Sequence, residues 1–527
     1  MSDRSLVRAI FVTTLAVYLL TSGREPPWGD GNIQYMAAES MLKRGALDIP
    51  KAWPDDLPPD AHGKFYSTYP LMTSVAQMPG IVLLEAAAAI SPPSRGLAKP
   101  LTSHLACSLF GALACVLFFQ LCRQRKLAQR TALFATGILA FGTTIWVYAH
   151  YSYSEIAQTA MFTGFLLSVL RTDEDPTPKQ ARWLGLYAGL LFSMKYIYAP
   201  GILGGVAFLA WRHRTRVLPL IPHAALTGVP FLIASLVYNY LCWGSPLSTG
   251  YTPYFATYWG ENPLISLWGT FLSPGKSLFL YSPPLILGLV GIPRLVRDHR
   301  AACLAILAIA GPVLLVYSRY KLNGDWAWGP RFAVFVVPAF ALSFAVVLDH
   351  VRRWAVTAFV VLGVCVQLLG ISLYWDHFIR IGTEVRQQWL GQPNRKGAII
   401  PVRADGHCDS CFEDVHQMEW LPPFQPILGQ WWLVRSLLAG DDAAHAEANA
   451  PWHRHTKLAF NITDAYNRAR LDWWGMLWLV DFPRYRGVGL ILLALMLGAT
   501  VGGVIMWIRA RRAAAPPSPP RDPAPAG

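Results

Sequence analysis

Residues 101–121 read LTSHLACSLFGALACVLFFQL, and residues 122–130 read CRQRKLAQR. The first stretch is 21 residues long with no Lys, Arg, Asp or Glu, and the second packs four cations into nine residues. A helix of about 20 apolar residues is what crosses the ~30 Å hydrocarbon layer of a bilayer. A cluster of Lys and Arg directly after such a run marks its cytoplasmic end. The two stretches together predict a transmembrane helix with a defined sidedness.

The pattern recurs along the chain. Apolar runs near 9–22, 101–121, 131–150, 155–170, 183–198, 199–211, 217–241, 278–293, 301–318, 332–348, 354–374 and 487–508 predict an all-α polytopic membrane protein with about 12 transmembrane helices. The short connectors 1–8, 122–130, 171–182, 212–216, 294–300, 349–353 and 509–527 hold 65 residues and 21 Lys/Arg. The long stretches are far poorer in cations, with 7 in the 78 residues of 23–100 and 12 in the 111 residues of 376–486. The basic connectors and both termini are therefore expected in the cytoplasm, and the long stretches on the outer side.

Composition agrees. The 527 residues are 54% hydrophobic and 14% charged, with a mean hydropathy of +0.33. An ordinary soluble domain carries about 25% charged residues, so soluble, disordered, coiled-coil and collagen-like chains are excluded. The net charge of +14 is carried mainly by the connectors, so no nucleic acid is expected as a partner.

The expected layout is a transmembrane domain over 1–374, an outer segment over 375–486, a last span over 487–508 and a disordered cytoplasmic tail over 509–527. Residues 1–22 have the basic start and apolar run of a signal peptide but no small-x-small cleavage site, and are read as a retained first span. The outer loop 23–100 is expected to carry two helices along the membrane interface, one near 31–45 and one after Tyr69-Pro70. Cys408 and Cys411 form the one local cysteine pair. A disulfide, free thiols and, with His407 and His416, a metal site are the three readings, and the adjacency of His407 and Cys408 weighs against the metal.

Five cations lie at or beyond the outer ends of spans: Lys195, Lys276, Arg319, Lys321 and Arg331. Any one can snorkel to the headgroups, but five beside aromatics also suit an anionic lipid headgroup. Arg331 follows Pro330 at the head of a span, where its planar fork fits a phosphate. Lys64, among Tyr66 and Tyr69 in the Gly63–Pro70 segment, reads either as an exposed turn or as a second phosphate ligand. Asp30, in Pro26-Pro27-Trp28-Gly29-Asp30-Gly31, is both a natural helix N-cap and a candidate general base near apolar walls. Glu155 is the first acid after the charge-free stretch 131–154, and an acid there is costly unless it faces a partner or water. Trp146, Tyr148, Tyr151 and Tyr153 precede it and read as an interfacial belt or a sugar platform. Gly275-Lys276-Ser277 ends like a P-loop, but Thr270 stands where a glycine is required and no strand precedes it.

The order of these pieces resembles a family. Trp28-Gly29-Asp30 with Tyr35, the Gly63–Pro70 segment, Gly142-Thr143-Thr144-Ile145-Trp146, Tyr238-Asn239 with Gly244-Ser245-Pro246, and Gly329-Pro330-Arg331-Phe332 are similar in sequence and order to the GT-C glycosyltransferases that use polyprenyl-phosphate sugars. The protein mannosyltransferases and lipid A aminoarabinose transferases are the groups most resembled, over roughly residues 1–350. Two positions depart from the pattern: Gly31 stands where many relatives have a Glu after the Asp, and Glu155 where many have an Asp.

The resemblance implies a GT-C-type bundle with an outer juxtamembrane-helix loop and an outer C-terminal cap, in a bacterial inner membrane with the active site facing the periplasm. It implies transfer of a sugar from a polyprenyl-phosphate donor to an envelope glycan, lipid or protein acceptor, with inversion in a single displacement. Asp30 is then the base. Lys64 and Arg331 are the first expected ligands of the donor phosphate, and Lys195 and Lys276 the second. Tyr35, Tyr66, Tyr69, Trp146, Glu155 and Tyr251 are expected against substrate. No cofactor is expected, a divalent metal shared by Asp30 and Glu155 being the alternative. The segment 375–486, with Trp420-Leu421-Pro422-Pro423-Phe424 and Trp431-Trp432, reads as a small cap that chooses the acceptor. A glycolipid or polysaccharide transporter is the rival class. It would show repeated halves and charge at mid-bilayer, and the sequence has neither an internal repeat nor such charges.

Overall fold

The computed structural model describes residues 3–27, 29–50, 63–91, 95–252, 259–321, 324, 327–390, 418–453 and 459–513. Trp28 and the Cys408–Cys411 pair, with His407 and His416, lie outside them. The described chain is almost wholly helical. The helices that position the site are α1 (Asp3–Leu20), α2 (Gly29–Arg44), α3 (Leu71–Val75), α4 (Met78–Ile90), α5 (Arg95–Gln124), α6 (Gln129–Gly142), α7 (Ile145–His150), α8 (Glu155–Glu174), α9 (Pro178–Met194), α10 (Ala199–His213) and α11 (Ile221–Trp243). Beyond them come Leu285–Asp298, Arg300–Tyr317, Val337–Ala345, Arg353–Ser372 and Arg486–Ala513.

Among the described residues six helical stretches are long and apolar enough to cross a membrane: Leu71–Ile90, Arg95–Gln124, Leu218–Trp243, Arg300–Tyr317, Arg353–Ser372 and Pro483–Arg509. The surfaces of several are apolar and exposed, as at Leu226, Ile233, Ile491 and Leu495. A surface so extensively apolar is one that lipid covers. At the centre, α8 is buried along nearly its whole length and packs against α5, α9 and α10.

Helices occupy every predicted apolar run, but several are broken rather than continuous. The run 131–150 divides into α6 and α7 at Thr143-Thr144, and the run 278–293 divides at Ser282. The two breaks face each other, and the N–H of Thr144 donates to Ser282 Oγ at 3.1 Å. A break leaves backbone groups that apolar surroundings cannot satisfy, and a side chain at the second break meets the N–H freed at the first. The segment expected along the interface after Pro70 comprises α3 and α4, which together have the length and polarity of a span.

The loop between α2 and α3 is closed by a two-stranded ribbon, β1 (Asp48–Ile49) against β2 (Phe65–Tyr66), antiparallel with Asp48 opposite Tyr66. A charge network ties α2 to α4 and α5. Lys43 Nζ lies 2.6 Å from Glu39 and 2.8 Å from Glu85, and Arg95 lies 2.6 Å from Glu85 and 3.2 Å from Glu39. The segment that follows Ser372 has an apolar cluster of its own, formed by Phe378, Ile381, Trp432, Leu433, Trp452 and Tyr466.

Helices α9 and α11 pack closely through glycines. A Cβ on Gly185 would overlap the carbonyl oxygen of Ala224, and one on Gly189 would press on Gly228. Overpacking of this kind costs about 1–3 kcal/mol. Gly185→Val is expected to lower the thermal midpoint of the detergent-solubilised protein, whereas a valine at the open Gly498 should leave it unchanged. Equal midpoints would show that α9 and α11 are not in this contact.

Candidate functional site

Four charged side chains from distant parts of the chain meet at one end of the bundle. Asp30 lies in the first turn of α2 and Glu155 is the first residue of α8. Both carboxylates therefore sit at helix N-termini, where the unpaired N–H groups favour negative charge. Arg331 opens the 3-10 turn Arg331–Val336. The chain reaches it through Gly329, whose φ of +72° is open to glycine at little cost, and then Pro330. Lys195 is an extended residue between α9 and the turn Tyr196–Tyr198.

Arg331 is the centre of the group. Its Nη2 is bound to Asp30 Oδ2, and its Nε donates to Glu155 Oε1 at 2.8 Å. Lys195 Nζ is 3.8 Å from the same Glu155 oxygen. The side chains of Arg331 and Glu155 are 4% and 3% exposed, whereas Asp30 is 28% exposed and Lys195 14%. The pair at the back is closed off, and the pair at the front is reachable. Aromatic faces complete the walls. The Arg331 guanidinium lies 4.5 Å over the Tyr153 ring, and Lys195 lies 4.9 Å over Phe332 and 5.5 Å over Tyr317. Such faces are attracted to cations by the ring quadrupole.

Burial works to raise the Asp30 carboxyl, but the Arg331 charge, a hydrogen bond from Tyr69 and the more distant Lys195 together hold it below its ordinary value. Tyr69 responds in the opposite sense: burial and then the Asp30 charge push its hydroxyl well above the usual range. It therefore stays a hydrogen-bond donor at neutral pH. Its ring meets Tyr251 edge-on at 6.1 Å. Glu155 Oε2 is buried and has no hydrogen-bond partner among the described residues. Arg331 occupies one oxygen of each carboxylate that a shared divalent ion would use, Asp30 Oδ2 and Glu155 Oε1.

Gly31 has a steric reason. A Cβ there would overlap the carbonyl oxygen of Ser152, so α2 lies directly on the segment that leads into Tyr153 and Glu155. A side chain after Asp30, as many GT-C sequences have, does not fit this approach.

The other expected site residues have the following neighbours. Tyr35, expected against substrate, is buried with Trp474 and Trp478, and Lys99 lies 4.9 Å over its ring. Trp146, expected as a sugar platform, is turned into the core: its indole N–H donates to Thr21 Oγ1 at 3.1 Å and its ring meets Phe141 at 5.3 Å. An aromatic at a helix end packs inward when an acceptor waits there, and the half-buried Thr21 is that acceptor. Tyr66 packs edge-on against Trp243 at 6.1 Å. Lys64 is exposed at the start of the ribbon. Lys276 is buried at the contact with 418–419, where Gly275 N–H donates to the Glu419 carbonyl at 2.9 Å.

The residue that sequence reading passed over is Asp472. It is 1% exposed, lies 3.3 Å from His150 Nε2 and accepts hydrogen bonds from the backbone N–H groups of Arg24 and Glu25. The signal for it was a lone acid in Leu471-Asp472-Trp473-Trp474, a run otherwise apolar and aromatic.

No family model matches the sequence, and no curated protein matches it. Among solved structures the chain is similar to the crystal structure of ArnT from Cupriavidus metallidurans in the apo state. The two share 13% sequence identity with a TM-score of 0.45, over 96% of this chain and 78% of that one.

Proposed function

We propose that this protein is a membrane glycosyltransferase of the GT-C type that moves a sugar from a polyprenyl-phosphate donor to an acceptor hydroxyl of the bacterial envelope. The observation that carries the reading is the meeting of Asp30 and Arg331, flanked by Glu155 and Lys195, at a half-open place on the end of the bundle. On this reading the protein spans an inner membrane about twelve times with both termini in the cytoplasm. The site faces the periplasm, and 375–486 forms an outer cap. A transporter would spread such charges along a path through the bilayer instead.

The residues present suit an inverting displacement. The acceptor oxygen forms a bond to the anomeric carbon as the bond from that carbon to the phosphate oxygen breaks. The electron pair leaves with the lipid phosphate, and the hydroxyl proton passes to Asp30. Arg331 and Lys195 stabilise charge gathering on the departing phosphate, the kind of preorganised electrostatics that dominates many rate enhancements. Asp30 is a weak base while bound to Arg331. A phosphate arriving on Arg331 competes with that ion pair and releases the carboxylate toward the acceptor. The donor is therefore expected to bind before the acceptor becomes reactive. Tyr69 and Tyr251 line the Asp30 side of the site, and Lys64 and Lys276 are assigned no step.

The decisive experiment compares envelope glycans by mass spectrometry in a null strain complemented with wild type or Asp30→Asn, at equal membrane abundance. One glycan is expected to lose a single sugar mass in the null and to regain it with wild type, and Asp30→Asn should slow transfer by about 10²–10⁴-fold. Full restoration by Asp30→Asn would remove Asp30 as the base. Gly31→Ala keeps the carboxylate but pushes α2 off Ser152; transfer should fall by about 10²-fold, since misplacement of about 1 Å has that effect. Wild-type transfer by this variant would contradict the close approach at Gly31.

The lowered Asp30 carboxyl also fixes a pH dependence. A carboxyl depressed on folding adds stability above its unfolded value and loses it as pH falls through the folded one. The stability advantage of wild type over Asp30→Asn should be level from pH 8 to about 4, the ordinary aspartate range, and shrink below that. An advantage that shrinks between pH 8 and 5 would contradict the ion pair.

A further inference from the structure

One carboxylate outside the site grips both chain segments that lead into it. Asp472 Oδ1 accepts from the N–H of Arg24 at 2.7 Å and of Glu25 at 3.4 Å, across 448 residues of sequence in the first case. Its Oδ2 lies 3.3 Å from His150 Nε2. Asp472 is itself fixed: its N–H donates to the Ser372 carbonyl at 2.8 Å, and Leu471 bridges Leu373. Gly23 leaves room for the grip, since a Cβ there would stand 3.0 Å from Asp472 Oδ2 and 3.2 Å from His150 Nε2.

The two gripped segments carry the site's two carboxylates. After Glu25 come Pro26 and Pro27, whose rings fix φ and stiffen the path to Asp30. After His150 come Ser152, whose carbonyl lies under Gly31, then Tyr153 against Arg331, then Glu155. Burial works to raise the Asp472 carboxyl, but the His150 hydrogen bond and charge, with the Arg24 N–H, more than offset it. Asp472 is thus ionised, the form that accepts hydrogen bonds with both oxygens.

We infer that Asp472 is a positioning residue of the transfer site: it ties Arg24–Glu25 to His150 and so sets Asp30 and Glu155 on either side of Arg331. The C-terminal segment then completes the geometry of the reaction as well as covering it. This inference rests on the reading of Asp30 as the base.

The plain alternative is that Asp472 only holds the seam between the C-terminal segment and α1. The seam has other anchors that separate the two roles. The indole N–H groups of Trp473 and Trp474 donate to the Leu20 carbonyl at 2.8 and 3.1 Å, an acceptor that belongs to neither gripped segment. Full-length Asp472→Ala, Asp472→Asn and Trp473→Phe are compared in the complemented null strain. One readout is the rate at which the missing sugar mass appears per unit of membrane-inserted protein. The other two, on purified protein, are the thermal midpoint and the affinity for a polyprenyl monophosphate.

Asp472→Ala is expected to transfer about 10²-fold more slowly with its affinity for the monophosphate within about threefold of wild type. Asp472→Asn keeps one oxygen for the Arg24 N–H and should recover part of the rate. Trp473→Phe should lower the thermal midpoint and leave the rate unchanged. Should Asp472→Ala not reach the membrane, Asp472→Asn decides: a wild-type rate overturns the inference, and a reduced rate at unchanged affinity and midpoint upholds it. A rate that falls only in step with the midpoint, in both Asp472→Asn and Trp473→Phe, also overturns it. A wild-type rate in Asp472→Ala beside an inactive Asp30→Asn removes Asp472 alone, whereas an active Asp30→Asn removes the base and this role with it.

Discussion

Everything at the candidate site depends on a guanidinium held between two carboxylates out of water. Arg331 and Glu155 are almost fully enclosed. Taking an ion of that size out of water costs several kcal/mol unless a partner is held in good geometry. The chain meets that demand locally each time. Both acids stand at helix N-termini, the arginine follows a Gly-Pro turn, and the lysine occupies an extended residue between helices. None of these positions is the middle of a span, where a charge is most expensive.

The same economics explains what the sequence reveals. Every predicted apolar run is helical in the structure, because a hydrocarbon layer selects long apolar helices strongly. Asp30, Arg331, Glu155 and Lys195 stand out because charges are scarce in such a chain and need a reason. The helix breaks at Thr143-Thr144 and Ser282 are not legible, because the N–H freed at the first is met across the fold by the Ser282 hydroxyl rather than by a neighbour in sequence. The surroundings of Trp146 are not legible either: a ring at the start of a short helix reads the same whether it faces a sugar or, as here, donates to the Thr21 hydroxyl. Lys64 is exposed and Lys276 is buried, and a positive charge in the sequence does not tell the two placements apart.

The C-terminal portion was the least legible. Its helices are short, its apolar cluster draws on residues from 373 to 466, and no period along the chain announces it. Beside apolar packing of Trp474 and Trp478 on α2, α4 and α5, its links to the bundle include specific polar ones: two indole bonds to one carbonyl at the end of α1, and a carboxylate on the loop that follows. Bonds of that kind fix an orientation more than they add affinity, because each requires one geometry.

The pairing of Asp30 with Arg331 has a consequence for how a catalytic cycle closes. An empty site holding two acids and two bases is close to neutral, so it exerts little pull on an anion at long range. On the glycosyl-transfer reading, the spent lipid phosphate leaves a guanidinium that already has a tethered replacement for it. Asp30 returns to that place from one helical turn, with no search and no need for a mobile ion from solution. A carboxylate carried by the protein would thus act as the competitor that evicts the product, and escape of the used carrier would not have to be the slow step.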